Sequence, residues 1–106
     1  MKTYNIKNYK NGWFIGDFFP SIFKNQFFEV GHHIHKKNEQ TFPHYHSYTT
    51  ELNYIIKGKL NVSGNILNEG DIWIYESNEI SDVKFLEDSE IIIIRWPSIP
   101  KDKTII

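Results

Sequence analysis

The chain contains no cysteine, which removes disulfides and thiolate metal ligands from consideration together. Long apolar runs are missing as well. The longest is Ile91-Ile92-Ile93-Ile94, far short of the roughly 20 residues that cross a bilayer as a helix. The opening stretch Met1 to Lys10 has no apolar centre, so no secretory signal is expected. A chain without disulfides or a leader is expected in the cytoplasm, and no membrane partner is expected. Clustered positive charge is scarce too. The 12 Lys and Arg and the 13 Asp and Glu are interspersed and leave a net charge of −1. Lys36-Lys37 and Lys101 to Lys103 are the densest basic spots and read as solvated loops. A nucleic-acid face needs a basic cluster, so DNA and RNA are not expected partners. Internal repeats, low-complexity tracts and linkers are absent. Helical periodicity is nearly so, with only a weak single turn indicated over Pro20–Gln26.

What the chain does have is β-forming material. Its 106 residues are 40% hydrophobic and 16% aromatic, enough to build the core of one domain spanning residues 1–106. Short segments rich in Ile, Val, Phe, Tyr and Trp predict strands over Trp13–Phe18, Phe27–His35, Thr50–Lys57, Lys59–Ser63, Asn65–Leu67, Asp71–Glu76, Asp82–Leu86 and Glu90–Trp96. Turn residues separate them, and Ser63-Gly64-Asn65 has the composition of a tight hairpin loop. The pattern is that of an antiparallel sandwich or barrel with little helix. Within Thr50–Lys57, alternation puts Glu51, Asn53 and Ile55 on one face and Leu52, Tyr54 and Ile56 on the other. Both faces carry apolar groups. The strand therefore needs an outer cover, either the N-terminal segment or a second subunit, and a homodimer is expected.

The most informative segment is Pro43-His44-Tyr45-His46-Ser47-Tyr48-Thr49-Thr50-Glu51. Two histidines two apart on an extended chain point to the same side, with Cα atoms roughly 6.5–7 Å apart. That spacing lets both imidazoles reach one ion at roughly 2.0–2.1 Å. Glu51 opens the next strand and can reach the same point. Two histidines and one carboxylate leave coordination positions open for a substrate or water.

His44-x-His46, four residues, Glu51, six residues, Gly58 resembles the first signature motif of the cupin superfamily at every ligand position. The glycine that usually opens that motif is replaced by Asn38, which tolerates φ > 0. The resemblance covers about Asn38 to Trp96 and implies a small antiparallel jelly-roll β-barrel. It also implies one divalent metal ion (Fe, Mn, Zn or Ni) on His44, His46 and Glu51. The second cupin motif is weaker. From Gly70 the ungapped register puts Glu76, Asn78 and Ser81 where proline, glycine and a fourth ligand, histidine, are expected. A one-residue insertion instead brings Asp82 to the ligand position. Asp82 as a metal ligand and Asp82 as an exposed turn acid both remain open.

A second histidine cluster, His32, His33 and His35, precedes the motif. His32 alternates with Phe28, Val30 and Ile34 on the more apolar face, so it is expected to line the pocket as a catalytic acid or base. His33 and His35 are expected at the surface. Arg95, the only arginine, either grips a ligand carboxylate or phosphate or pairs with a surface acid. The function implied is a metal-dependent enzyme of the isomerase, epimerase or dioxygenase type. Its substrate would be a small polar molecule, carbohydrate-derived or a carboxylate. The alternatives are a non-catalytic module that binds a small ligand such as a sugar, and a degenerate cupin with an empty site.

Overall fold

The computed structural model describes all 106 residues. It contains ten strands: β1 (Trp13–Ile15), β2 (Glu29–His35), β3 (His44–Tyr45), β4 (Thr50–Lys57), β5 (Lys59–Val62), β6 (Asn65–Asn68), β7 (Ile72–Tyr75), β8 (Val83–Phe85), β9 (Ser89–Trp96) and β10 (Thr104–Ile105). They form a five-stranded sheet in the order β1-β2-β9-β4-β7, a three-stranded sheet β6-β5-β8, and the pair β3-β10. Every named strand pairing is antiparallel. The result is an antiparallel barrel, as the strand pattern predicts, with the jelly-roll arrangement that the resemblance implies. No helix is long and apolar enough to cross a membrane.

Two positions show how the chain turns. Ser63 and Gly64 both have positive φ (48° and 88°) and close the β5–β6 hairpin as a two-residue loop between paired Val62 and Asn65. Positive φ at both central residues matches the right-handed twist of the flanking strands. Gly58, at φ 112°, lets the chain pass from β4 in the large sheet to β5 in the small one. A Cβ there would lie 2.1 Å from Ser89 Oγ, so no other residue fits without moving β9.

Alternation sorts the side chains into two regions. Toward the small sheet, Ile55, Leu60, Val62, Tyr75, Val83, Phe85, Ile91 and Ile93 form the apolar core. Toward the other end the same inward-facing rows turn polar. Register places Glu29 of β2, Arg95 of β9 and Glu51 of β4 side by side across the large sheet. The next inward row is Gly31, Ile93, Asn53 and Trp73. The ring of Trp13 lies over Gly31, where any Cβ would meet it at 2.8 Å.

Two expectations are corrected. The segment Pro20–Gln26 is not helical: Phe23 bridges to Ile15 in extended form, and the only helical turns are 3-10, at Ile6–Asn8 and Lys10–Gly12. The faces of β2 are the reverse of those expected. Glu29, Gly31, His33 and His35 face inward, while Val30, His32 and Ile34 face out. The N-terminal segment supplies the reason. Tyr4, Ile6, Tyr9, Phe14 and Ile22 gather over His32 and Ile92 and cover the apolar outer face. The more polar face of β2 thus meets a polar interior.

Candidate functional site

His44 lies in β3, a strand too short to be seen in the sequence, and pairs with Ser81 through backbone hydrogen bonds in both directions (2.7 and 3.2 Å). Its Nδ1 lies 2.8 Å from the Phe42 carbonyl oxygen, and the Nδ1 of His46 contacts the carbonyl oxygen of Asp102. A carbonyl oxygen only accepts, so each Nδ1 carries the proton and each Nε2 keeps its lone pair. His44 and His46 are both buried, with ring centroids 5.2 Å apart and planes at 85°. His46 Nε2 is 3.7 Å from Glu51 Oε1 and has no hydrogen-bond partner. Burial is the main cause that holds the His44 imidazole below its ordinary pKa, against the Phe42 carbonyl.

Asp102 fixes the connection between the histidines and Glu51. Its carboxylate accepts the backbone N–H groups of Ser47 (2.8 Å), Tyr48 (2.8 Å) and Thr49 (3.0 Å). Desolvation raises its pKa, but these donors more than offset it and hold the carboxyl below its usual range. The sequence gives no sign of this contact, because more than 50 residues separate the partners.

Glu51 is buried within a set of ionic contacts. Its Oε1 accepts from Arg95 Nε at 2.7 Å, and its Oε2 accepts from Asn53 Nδ2 at 3.1 Å. Arg95 Nη1 reaches Glu29 Oε1 at 3.4 Å, and Ser98 Oγ donates to Glu29 Oε2 at 2.9 Å. The guanidinium lies 4.5 Å over the ring of Trp13. Glu29 is only 2% exposed and Glu51 6%, so two buried carboxylates share one cation. Burial pushes the Glu51 carboxyl up. The Arg95 charge and hydrogen bond, the Asn53 amide and His46 more than offset this and hold it below the ordinary value. Arg95 thus serves the chain's own carboxylates, not the surface pair or ligand anion considered from sequence.

A cavity of about 210 Å³ opens beside these residues, with His33, His44, Glu51, Asn53, Trp73 and Ser81 in its lining. His33 and His35, not His32, are the inward-facing histidines of β2, and it is His33 whose titration is displaced. Burial foremost, then the neighbouring His35 and Arg95, lowers its pKa to about 4. His32 stands outside the barrel with Nε2 3.5 Å from Glu90, which removes it from any role in this cavity. His35 hydrogen-bonds Glu39 at 2.8 Å and stacks on Phe85 at 4.0 Å. Asp82 is exposed and outside the lining, while Ser81 is buried within it. No inserted residue shifts the register: Ser81, Val83 and Phe85 alternate inward without interruption. Asp82 therefore cannot supply the fourth ligand. Asn38, with φ 74°, adopts the conformation expected of the motif's opening residue.

The donors of His44 and His46 suit a divalent ion, since both Nε2 atoms are free of protein partners. Glu51 suits it less directly. As the side chains stand, no three His, Asp or Glu groups converge tightly enough to hold an ion, and the Glu51 oxygens each accept a hydrogen bond, from Arg95 and from Asn53.

No family model matches the chain, and no curated protein is similar to it in sequence. Solved structures are similar in fold. KdgF from Halomonas sp. superposes with a TM-score of 0.67 at 20% identity over 72% of this chain and 74% of that one. An uncharacterized conserved protein with a double-stranded β-helix domain from Klebsiella pneumoniae gives 0.70 at 15%, over 76% and 71%. A cupin-2 domain containing protein from Shewanella frigidimarina gives 0.56 at 17%, over 63% and 68%.

The Glu29–Arg95–Glu51 contact generates a test. Arg95→Met strands two buried carboxylates, a change that typically costs about 3–5 kcal/mol. The pH dependence should also reverse. A carboxyl held below its ordinary value of 4.5 stabilises the wild-type chain above that pH and loses the contribution in acid. Without the guanidinium, burial raises the carboxyl pKa, so the variant should gain stability between pH 7 and 5. Urea unfolding at both pH values checks this. A variant as stable as wild type, or parallel pH profiles, would contradict the contact.

Proposed function

We propose that this cupin-fold chain holds one divalent metal ion on His44, His46 and Glu51 and binds a small polar molecule beside it. One observation carries the reading: both imidazoles turn Nδ1 to a backbone carbonyl and keep Nε2 for the barrel, where the His46 Nε2 is buried without a partner. Metal-binding histidines are commonly fixed through the other ring nitrogen in this way. Glu51 supplies negative charge, with Arg95 and Asn53 as the outer partners of its oxygens. Imidazole and carboxylate donors suit Fe, Mn, Zn or Ni. Held there, such an ion would supply Lewis-acid polarisation of a substrate oxygen.

The protein's own groups favour polarisation over side-chain proton transfer. A general base works best with a pKa near the working pH, and His33, an inward-facing histidine of β2 beyond the motif, is held near 4. An isomerase, epimerase or dioxygenase reaction would lean on the ion. A second reading draws on a different observation. Arg95 already balances Glu51, and Ser81 stands where a fourth ligand would be. On that reading the barrel is a metal-free binding module. A cytoplasmic setting is proposed from the lack of cysteine.

Metal titration separates the two. Co²⁺ added to protein purified without a metal-affinity tag should bind one ion per chain and give a visible d–d spectrum. His44→Ala and His46→Ala should abolish it while leaving the β-sheet circular dichroism intact. Binding should weaken in acid, because ligating imidazoles must be neutral. Equal Co²⁺ binding by wild type and the double variant would overturn the metal site.

We also propose a homodimer through the outer face of the large sheet. Tyr54, Ile72 and Ile74 on β4 and β7, with Ile34 on β2, stay exposed where the N-terminal segment does not reach. β7 is a sheet edge with unpaired backbone groups. Light scattering should give twice 12.6 kDa, and Ile72→Glu with Ile74→Glu should halve the mass. A wild-type mass of 12.6 kDa at micromolar concentration would contradict it.

A further inference from the structure

Residues 97–106 lie along the strand that presents His44. Ser98 is buried against Glu29 at the start of this segment. At its end Thr104 and Ile105 pair with Tyr45 and His44, and the Ile106 N–H donates to the Pro43 carbonyl at 3.1 Å. No residue of the segment belongs to the apolar core. From Lys101 onward every residue is exposed except Asp102, which is half-buried. Residues 101–106 are therefore held by hydrogen bonds, with the Asp102 side chain as their one anchor out of solvent.

Asp102 is used twice. Its carboxylate accepts the successive N–H groups of Ser47, Tyr48 and Thr49, and its backbone carbonyl contacts Nδ1 of His46. Successive backbone N–H groups form a concave seat for an anion. Hydrogen bonds to a charged group are roughly twice as strong as neutral ones, so the seated carboxylate fixes where the Asp102 carbonyl stands. The carbonyl only accepts, and its position sets which nitrogen of His46 carries the proton. The ring of His44 is held independently, by the Phe42 carbonyl two residues away along the chain.

We infer that Asp102 is a positioning residue for His46: its carboxylate, seated on Ser47, Tyr48 and Thr49, holds the carbonyl that keeps the His46 proton on Nδ1, and so couples the docking of residues 101–106 to ion binding at Nε2. The inference rests on the metal site proposed above and adds its control by a segment that does not touch the ion. The coupling is reciprocal. A segment that favours the ion-binding tautomer is itself held more firmly once the ion is bound.

Asp102→Asn is the test. The amide keeps the size of the side chain and the backbone carbonyl, but it removes the charge and replaces one acceptor oxygen with a donor. The core lies elsewhere, so the circular dichroism should match wild type. In the metal-free variant, long-range ¹H–¹⁵N spectra should show the His46 proton shared between both ring nitrogens, while His44 stays protonated at Nδ1. Hydrogen exchange at the Ser47, Tyr48 and Thr49 amides should quicken. Zn²⁺ affinity should fall at least roughly tenfold, as when other outer partners of metal ligands are altered. In wild type, added Zn²⁺ should slow exchange at the same amides. Lys101→Gln, an exposed neighbour, should change none of these readouts. The inference is overturned if His46 keeps its wild-type tautomer in Asp102→Asn, or if both rings change together, which marks a general loosening. Wild-type Zn²⁺ affinity in the variant, or Zn²⁺ binding to wild type without slower exchange, overturns the coupling. If wild type binds no Zn²⁺, the metal proposal fails, and the His46 tautomer in metal-free protein still decides whether Asp102 positions the ring.

Discussion

The row Glu29–Arg95–Glu51 is the constraint on which the polar end of this barrel depends. Antiparallel register puts the three residues side by side on β2, β9 and β4, and alternation turns all three inward. Two carboxylates could not stay buried there without the guanidinium between them, since burying an isolated charge costs several kcal/mol or more. The guanidinium lies 4.5 Å from the centre of the Trp13 ring. That ring lies against Gly31, where a Cβ would meet it at 2.8 Å. Ser98 and Asn53 satisfy the remaining carboxylate oxygens. The arrangement is closed on the protein side, and the unpaired atoms that remain belong to His33, His46 and Trp73.

This architecture divides labour along the barrel. The end toward the small sheet is apolar and supplies the burial that holds the two sheets together, with Ile55 and Leu60 fully enclosed. The other end is polar, and its groups are cross-tied by chain segments remote in sequence. Asp102 ties down the loop at Ser47–Thr49, and Ser98 joins Glu29 to the backbone of Asp17. Histidines held in this way keep one tautomer and one direction, which any binding or chemical role for Nε2 requires.

Local patterns made the strands legible in the sequence. Period-2 alternation and turn residues located eight of them, with β4 placed over Thr50–Lys57 as observed. The two that escaped, His44–Tyr45 and Thr104–Ile105, have two residues each and are defined by pairing with each other and, at His44, with Ser81. The motif spacing brought His44, His46 and Glu51 into view. What alternation could not supply was which face of β2 turns inward: apolarity pointed to His32, but the interior is polar there and the N-terminal segment covers the apolar face. Asp82 was offered by an insertion that the β8 register does not contain. The roles of Arg95 and Asp102 follow from contacts between distant segments, which no local pattern encodes.

The central claim is that His44 and His46 present bare Nε2 atoms to the interior, each fixed by a proton on Nδ1. Long-range ¹H–¹⁵N correlation of the imidazole rings at neutral pH measures this directly in the metal-free protein. Both rings should show a protonated Nδ1 and an unprotonated Nε2. Finding the proton on Nε2 in both rings would contradict the account, because no lone pair would then face the site.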